Sequence, residues 1–348
     1  MVIPDLITFK TCISEITGEG GDNKILEAAL ILGNGASIAL DTSFNYKNLF
    51  EKSKENNYID ENLESIFNEL KTNNFEEVLN YLYKCRFICE TLLSDENYKN
   101  EVVELFQNKY ENIKKALINI VREIHPLKNK IHKFNPFDEL GGIEGLNKFV
   151  SQFKYIVSLN YDLTLYHICM ENLDCFCDGF NYDDSDELTF QNNFYDNRTH
   201  IVYPHGNLML AITNSGREIK LKTSKNGEKR LLDSIIESWE SDEIVTPLFV
   251  CEGDSELKFR SICQSPYLTY VYTSILANLP QNIICYGWSM SENDNHIMWQ
   301  ILKGKKPKKL YISIYDNGKS EEKILYEINK IKESVREAEK KIKKKIIV

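Results

Sequence analysis

The sequence lacks the features that define several large classes of protein. No two cysteines are spaced as Cys-x-x-Cys, so a zinc ribbon is not encoded. No run approaches the ~18 apolar residues of a membrane span, and the first residues have neither the charged nor the apolar region of a secretory signal. The 52 acidic side chains outnumber the 42 basic ones, and the net charge of −10 argues against a surface that coats nucleic acid. We therefore expect a cytoplasmic protein without a membrane anchor, a bound metal or a nucleic-acid partner.

The composition is that of an ordinary globular protein. Hydrophobic residues make up 42% of the chain and charged residues 27%, and 348 residues are enough for one large α/β domain with an insertion. The nine cysteines are odd in number and stand mostly in apolar runs, which is typical of buried free thiols.

A glycine-rich turn near the start of the chain is the first candidate site. Residues 28–32 predict a short buried strand, which leads into a tight turn and then a helix. Glycines let a backbone approach a ligand closely, and the start of a helix offers N–H groups to a phosphate. The same kind of turn also occurs for packing reasons alone. The residues of this candidate phosphate site are Gly33, Asn34, Gly35, Ala36 and Ser37.

The segment after this turn, residues 41–46, is polar and aromatic. It forms either a loop that folds over the bound ligand or the plain exit of the preceding helix. In the first case Asp41 and Phe44 contact the ligand, so both are candidate binding residues.

Helical periodicity dominates the next part of the chain. Phe75, Val78, Leu79 and Leu82 fall at i, i+3, i+4 and i+7 and so share one helix face. A second long run with the same period ends before prolines, which exclude the helical conformation from the residue ahead of them. We therefore predict that residues 51–149 form an all-helical insertion. The other parts are an α/β domain, residues 1–50 and 150–316, and a charged C-terminal helix, residues 317–348.

The second predicted strand, residues 155–159, is an apolar run followed by Asn160 and Asp162. Polar groups at the carboxyl end of a parallel strand face the ligand crevice of a doubly wound sheet. Alternatively, Asp162 caps the following helix by accepting its free N–H groups. The capping explanation leaves Asn160 without a role.

A later strand, residues 201–204, stops at a histidine. Gly206 follows His205, and its flexibility would free the imidazole to act as a general base near neutral pH. A structural histidine held by a partner is the alternative. The preceding segment, residues 178–200, is polar and acidic without a clear period, and we interpret it as a loop-rich excursion.

The strand at residues 282–286 is followed by a similar set of groups, Gly287, Ser289 and Asp294. Four strands that end in glycine and polar residues form one crevice if the strands are parallel. We therefore predict a Rossmann-like α/β fold, in which a mostly parallel sheet has helices on both faces and carries the all-helical subdomain as an insertion.

Two familiar sites fit this pattern poorly. A dinucleotide fingerprint requires a third glycine where Ile38 stands, and its acidic partner would fall in a helical region. A nucleophile elbow around Ser289 requires a second glycine where Ser291 stands. The sequence therefore disfavours a dehydrogenase and a serine hydrolase.

Four short motifs carry a resemblance to a known family. In chain order they are GNGAS at residues 33–37, SLNYD at 158–162, His205-Gly206 and Gly287-x-Ser289. They resemble the Gly-Ala-Gly-x-Ser nucleotide loop, the Thr-Gln-Asn-Ile-Asp strand end, the catalytic His-Gly and the late Gly-x-Ser loop of the sirtuin-like family of NAD-consuming enzymes. The resemblance is closer to a zinc-free bacterial branch of uncharacterised or phage-defence proteins.

The resemblance implies that NAD is the substrate, that no metal takes part, and that the bond between nicotinamide and ribose is cleaved through an oxocarbenium-like state. It implies that Asn160 orients the attacking water or ribose, that Asp162 orients the nicotinamide amide, and that His205 deprotonates a ribose hydroxyl or water. The NAD-binding residues that the resemblance implies are Gly33, Asn34, Gly35, Ala36, Ser37, Gly206, Gly287 and Ser289. Asp41, Phe44 and Asp294 are predicted NAD-binding residues from their positions after a turn or strand.

Departures from the family pattern argue against protein deacetylation. The zinc-binding cysteine pairs are absent, Leu159 replaces the glutamine before Asn160, and the Pro-Asp-Phe-Arg run is missing. The leading hypothesis is therefore an NAD glycohydrolase that depletes NAD as an antiphage effector, a homo-oligomer held silent until a trigger protein or phage component releases it. The alternatives are a non-catalytic sensor of NAD or an ADP-ribose-type nucleotide, and an NAD-dependent deacylase or ADP-ribosyltransferase.

Overall fold

The computed structural model describes most of the chain. The described ranges are residues 6–17, 26–40, 49–125, 142–194, 197–222, 230–241, 244–250, 254–304, 308–315 and 318–342. The α-helices are α1 (Phe9–Thr17), α2 (Asn34–Leu40), α3 (Leu49–Glu55), α4 (Glu61–Leu70), α5 (Phe75–Leu92), α6 (Glu96–Ile124), α7 (Gly142–Val150), α8 (Thr164–Cys169), α9 (Leu231–Glu240), α10 (Ser255–Cys263), α11 (Pro266–Tyr270), α12 (Asn295–Lys303) and α13 (Glu321–Ile342). The strands are β1 (Leu26–Leu32), β2 (Phe153–Ser158), β3 (Phe176–Cys177), β4 (Gly179–Tyr182), β5 (Leu188–Asn193), β6 (Thr199–Val202), β7 (Gly206–Thr213), β8 (Glu218–Lys220), β9 (Ile244–Phe249), β10 (Asn282–Tyr286) and β11 (Lys309–Ile312).

A parallel sheet in the order β11-β10-β1-β2-β6-β3 forms the centre of the fold. Every neighbouring pair in this sheet is parallel, and Leu30 of β1 lies opposite Ile284 on one side and Ile156 on the other. Residues 28–31 are buried, which explains why β1 is a continuous apolar run rather than an alternating one. The predicted Rossmann-like α/β fold, with helices flanking a mostly parallel sheet, is confirmed.

A second sheet, which is antiparallel, was not predicted. Its strand order is β4-β5-β8-β7-β9. The interpretation of residues 178–200 as a loop-rich excursion was wrong, because β4 and β5 lie within it and β6 begins at Thr199. These strands are short, and β5 ends in exposed polar residues, so the alternation that marks a half-buried strand is weak. The sheet bears on function because β7 begins directly after His205 and pairs with β9.

Helices α3 to α6 lie between β1 and β2 in the chain, where the sequence predicts a helical insertion. The predicted apolar face of α5 is buried, from Phe75 to Leu82. Helices α5 and α6 are joined by residues 93–95 and form an antiparallel hairpin, in which Arg86 of α5 donates a hydrogen bond to Gln107 of α6.

The last helix, α13, has Glu321 and Glu322 in its first turn and Lys340 and Lys341 in its last. This distribution of charge complements the helix dipole. No helix within the described ranges is long and apolar enough to cross a membrane.

Candidate functional site

The carboxyl ends of β1, β2, β6 and β10 lie at one edge of the parallel sheet, because neighbouring strands run in the same direction. The chain passes from β1 to β2 and β6 on one side, and β10 and β11 lie on the other side of β1. The order of the sheet therefore reverses between β1 and β10. Doubly wound sheets bind ligands outside such a reversal, and the four polar strand ends of the sequence meet there.

The glycines at this edge pack against one another. Gly35 N–H donates to the Gly287 carbonyl at 2.9 Å. A Cβ on Gly287, which has φ of +67°, would lie 2.2 Å from the backbone nitrogen of Ala36. A Cβ on Gly33 would lie 2.5 Å from Trp288 Cα. Close approach of two turns thus accounts for these glycines.

This packing bears on the predicted phosphate site. The N–H groups of Gly35 and Ala36, two of those assigned to a phosphate, donate instead to the carbonyls of Gly287 and Gly33. The turn therefore shapes the edge of the sheet through contacts within the protein, and its binding role stays a prediction. Asn34 begins α2 beside these two glycines.

Three buried side chains form a hydrogen-bonded chain, which we call the polar cluster: Ser37, Asn160 and Asp162. Asn160 Nδ2 donates to Ser37 Oγ at 2.8 Å and to the Gly33 carbonyl at 3.0 Å. Ser37 Oγ donates to Asp162 Oδ2 at 2.7 Å. Asn160 is 9% exposed and Asp162 3%. The cluster therefore fixes the first turn of α2 against the end of β2.

The capping explanation for Asp162 is confirmed, and its place in a ligand crevice stays a prediction. Its Oδ1 accepts the N–H of Thr164, the first residue of α8, at 2.8 Å, while Oδ2 accepts from Ser37. Asn207 Nδ2 also donates to the Asp162 carbonyl at 2.8 Å, which connects β7 to the same loop. Asp162 thus stabilises the start of a helix and takes part in the polar cluster.

His205 is 3% exposed, and Gly206 does not act as a free hinge beside it. Gly206 has φ of +70°, and a Cβ there would lie 2.1 Å from the Leu248 carbonyl oxygen, so glycine is required for β7 to approach β9. The His205 carbonyl accepts the N–H of Val250 at 2.6 Å. The expectation that Gly206 frees the imidazole was wrong, since strand pairing holds both residues in place.

The His205 ring contacts a second histidine that the sequence reasoning missed. His205 Nε2 lies 3.0 Å from Nε2 of His296, and His296 Nδ1 lies 3.1 Å from Ser255 Oγ. Burial, followed by the charge of Lys258, lowers the pKa of His205 from 6.5 to about 4. Burial, followed by the charge of His205, lowers the pKa of His296 to about 3. Both rings are therefore neutral at neutral pH.

A buried ion pair completes what we call the histidine cluster: His205, His296, Ser255, Lys258, Asp294 and Trp288. Asp294 accepts from Lys258 Nζ at 2.9 Å and from Trp288 Nε1 at 3.1 Å. Burial by itself would raise the pKa of Asp294, but the charges of His205 and Lys258 and the two hydrogen bonds lower it.

Sequence reasoning found Asp294 from its position after a strand. It missed Ser255, Lys258 and His296 because they stand on α10 and α12 with no motif around them. The proximity of His296 to Asp294 in the sequence is the one signal that pointed to it.

The remaining predicted residues are placed as follows. Ser289 is exposed at the rim of the β10 turn. Asp41 and Phe44 lie outside the described residues. Within the described ranges, no group of three or more His, Cys, Asp or Glu side chains is arranged to hold a metal ion.

Comparison with known protein families gives a match, and the matched residues include the whole candidate site. A family model described as a domain of unknown function, DUF4917, matches residues 30–344. The chain belongs to this family. The matched range of the DUF4917 domain includes both clusters and the helical insertion. A comparison with curated proteins finds no match.

The DUF4917 chain thus presents a carboxylate, an amide and a hydroxyl in hydrogen-bonded contact, beside a pair of neutral imidazoles. The Leu159 carbonyl, next to Asn160 in the chain, interacts with His205 and raises its pKa by less than burial lowers it. The two clusters are therefore adjacent. Such a set can position a polar ligand, stabilise a developing positive charge and accept a proton.

Proposed function

We propose that the chain binds NAD at the carboxyl edge of the parallel sheet and hydrolyses the bond between nicotinamide and ribose. The observation that carries the proposal is the convergence of Asn160 and Asp162, after β2, with His205, before β7. These side chains lie beside the point where the strand order reverses, which is where doubly wound sheets bind nucleotides.

The polar cluster suits the electrostatics of this reaction. Hydrolysis consumes one water and yields nicotinamide, ADP-ribose and a proton. Positive charge develops on the ribose as the bond breaks, and a fixed carboxylate stabilises that charge without reorganising. Asp162 is such a carboxylate, since Ser37 and Thr164 each hold one of its oxygens. Asn160 is held through Nδ2, so its side-chain oxygen can orient the ribose or the attacking water.

The histidine cluster supplies a group for the proton. His205 is neutral at neutral pH and so can accept one. Its Nε2 is 3.0 Å from His296 Nε2, which means that His296 must either move aside or share the proton. In this account His205 is the catalytic base and His296 acts through it.

A non-catalytic sensor is the second candidate function. The observation that favours it is that the His205 ring is buried and its Nε2 already contacts Nε2 of His296. In this arrangement His205 Nε2 is not open to a substrate. A protein that only holds NAD or an ADP-ribose-type nucleotide needs the glycine turn and Asn160, but it needs no base.

The same contact between His205 and His296 is also consistent with an enzyme that is inactive until it is activated. We propose that a trigger, such as a phage component or a partner protein, separates His205 from His296. Depletion of NAD in phage-infected cells is then the physiological outcome, and the contact of 3.0 Å between the two rings is the element that the trigger changes.

The test is to incubate the purified full chain with NAD, with and without an extract of phage-infected cells, and to follow nicotinamide release by chromatography. We expect release by the wild type and a fall of about a hundredfold or more in Asn160→Ala and in His205→Gln. Asn193→Ala is the matched control, because Asn193 is an exposed asparagine on β5. This variant should retain full activity.

Two outcomes would change the conclusion. Binding of NAD without nicotinamide release, measured by calorimetry under the same conditions, would support the sensor. Equal release by the wild type and by His205→Gln would mean that the base is another group.

A further inference from the structure

We propose that the outer half of the α5/α6 hairpin is a dimerisation surface, which pairs with the same surface of a second copy of this chain. The inference is independent of NAD. Its core is a set of side chains that we call the hairpin face: Tyr81, Cys85, Ile88, Leu92, Tyr98 and Leu105.

The hairpin face is apolar but has no core to cover it. No residue from 83 to 109 is buried, whereas α6 is buried over most of its length from Tyr110 to Val121. The five large side chains of the face expose between 45% and 73% of their surface. Outward-pointing apolar residues normally occur singly, and a contiguous set marks an interaction site.

The side chains of the face lie on one side of the hairpin. Tyr81, Cys85, Ile88 and Leu92 fall at i, i+4, i+7 and i+11 and form one stripe on α5. Tyr98 and Leu105, at i and i+7, form a second stripe on α6.

The stripe on α5 lies about 90° around its helix from the buried Leu82, and the stripe on α6 lies about 130° around its helix from the buried Tyr110. Viewed along each helix from its N-terminus, the stripe is displaced from the buried face in the same rotational direction on α5 and on α6. The two helices run antiparallel. The two stripes therefore meet on the same side. The Arg86–Gln107 bond places Ile88 and Leu105 at about the same level along the hairpin.

The area of the face suits one half of a dimer interface. Five large side chains that are about half exposed present on the order of 500 Å² of apolar surface, at the upper end for a monomer. A stable interface takes about 800 Å² from each partner, of which a little over half is apolar. One hairpin face thus supplies about the apolar area that one partner contributes.

The charges at the rim of the face favour a second copy as the partner. Lys84 borders the stripe on α5, and Glu101 and Glu104 border the stripe on α6, all three exposed. A two-fold axis along the hairpin sets α5 of one copy over α6 of the other. Lys84 of one copy then lies about 7.5 Å along the axis from Glu104 of the other, within reach of the long lysine side chain, and this pair of opposite charges occurs on both sides of the interface.

The test is sedimentation equilibrium of the full chain, which has a mass of 40.5 kDa. We expect the wild type to sediment with the mass of two chains. Ile88→Glu on α5 and Leu105→Glu on α6 should each raise the dissociation constant by about tenfold or more. Phe87→Glu is the matched control, because Phe87 is 62% exposed on the opposite side of α5, and it should leave the dimer intact.

A charge exchange tests the arrangement of the two copies. Lys84→Glu should weaken the dimer, and adding Glu104→Lys to that variant should restore it. A monomeric wild type would overturn the proposal, as would a dimer that Ile88→Glu and Leu105→Glu leave intact or that Phe87→Glu weakens equally. Because none of these variants touches the NAD site, failure here is distinguishable from failure of the proposed function.

Discussion

The polar cluster and the histidine cluster lie side by side at one sheet edge, but they are held in place differently. Asn160 and Asp162 follow β2 within four residues, and Ser37 stands in the first turn after β1. Their positions are set by the strands themselves. His205 is also close to a strand, but His296, Ser255 and Lys258 come from α10 and α12, which must pack correctly before the cluster exists.

This difference suits the polar cluster to positioning a ligand and the histidine cluster to transferring a proton. The polar cluster consists of hydrogen bonds from one side chain to another and between side chains and backbone, and these bonds keep a fixed geometry. In the histidine cluster, the pKa values of His205, His296 and Asp294 all lie below their ordinary values. Perturbed pKa values concentrate where a protein does chemistry, so we expect the proposed trigger, or a change of pH, to act on the histidine cluster.

The largest effect is expected at Gly287, which joins the two clusters. Gly287→Ala would place a Cβ 2.2 Å from the Ala36 nitrogen and hold alanine at φ of +67°. We expect the free energy of unfolding, measured in urea, to fall by on the order of 3 kcal/mol or more.

Gly216 offers a matched control for this change. It has φ of +77°, and nothing lies within 4 Å of its Cβ position. Gly216→Ala should therefore cost only the backbone strain, about 1 kcal/mol. Equal losses in the two variants would show that Gly287 does not hold the clusters together by close packing.

The next largest effect is expected in the polar cluster. Asp162→Ala removes the acceptor of Ser37 Oγ and of the Thr164 N–H in a buried place. We expect a loss of about 3 kcal/mol in the free energy of unfolding, against about 1 to 2 kcal/mol for Asn160→Ala, which leaves the Gly33 carbonyl without that donor. A larger loss of unfolding free energy in Asn160→Ala than in Asp162→Ala would show that the Asn160 amide, rather than the Asp162 carboxylate, contributes most to the stability of the cluster.

The histidine cluster should make stability depend on pH. The pKa of His205 is lowered to about 4 and that of His296 to about 3, while both have an ordinary value of 6.5 in the unfolded chain. Between these values the unfolded chain binds more protons, so stability is present above 6.5 and is lost as the pH falls through this window.

We expect the free energy of unfolding of the wild type to fall by about 4 kcal/mol between about pH 7 and about pH 5, about 2 kcal/mol from each histidine. The double variant His205→Gln and His296→Gln lacks these groups and should lose less over the same range. Urea titrations of both proteins at the two pH values make the comparison, and parallel losses would show that other groups dominate the pH dependence.

The smallest effect on stability is expected at Ser289, which belongs to neither cluster. Its side chain is exposed, so Ser289→Ala should change the free energy of unfolding by less than about 0.5 kcal/mol. If the residue contacts the nucleotide, as the resemblance implies, the same variant should still weaken NAD binding measured by calorimetry. Unchanged affinity would remove Ser289 from the site.

Sequence reasoning could predict the parallel sheet and one edge of the site because both depend on local pattern. Apolar runs followed by glycine, asparagine or histidine identified β1, β2, β6 and β10, and the parallel arrangement then brought their ends together. The residues of the polar cluster were found in this way, and their roles in binding and catalysis stay predictions.

The parts that were missed depend on contacts between distant segments. The antiparallel sheet consists of short strands, in which β5 carries little alternation. His296 and Lys258 join the site through the packing of α12 against α10, which no spacing in the sequence encodes. Gly206 was taken for a hinge because the approach of β9, which requires a glycine there, was not foreseen.

The central claim is that both clusters act on one NAD molecule, and the most direct measurement of it uses water labelled with heavy oxygen. The full chain is incubated with NAD and the infected-cell extract in this water, and the ADP-ribose is analysed by mass spectrometry. We predict that wild-type ADP-ribose carries one heavy oxygen atom, and that Asn160→Ala and His205→Gln yield almost none of this product. NAD that stays intact with the wild type, or labelled product formed equally by both variants, would contradict the account.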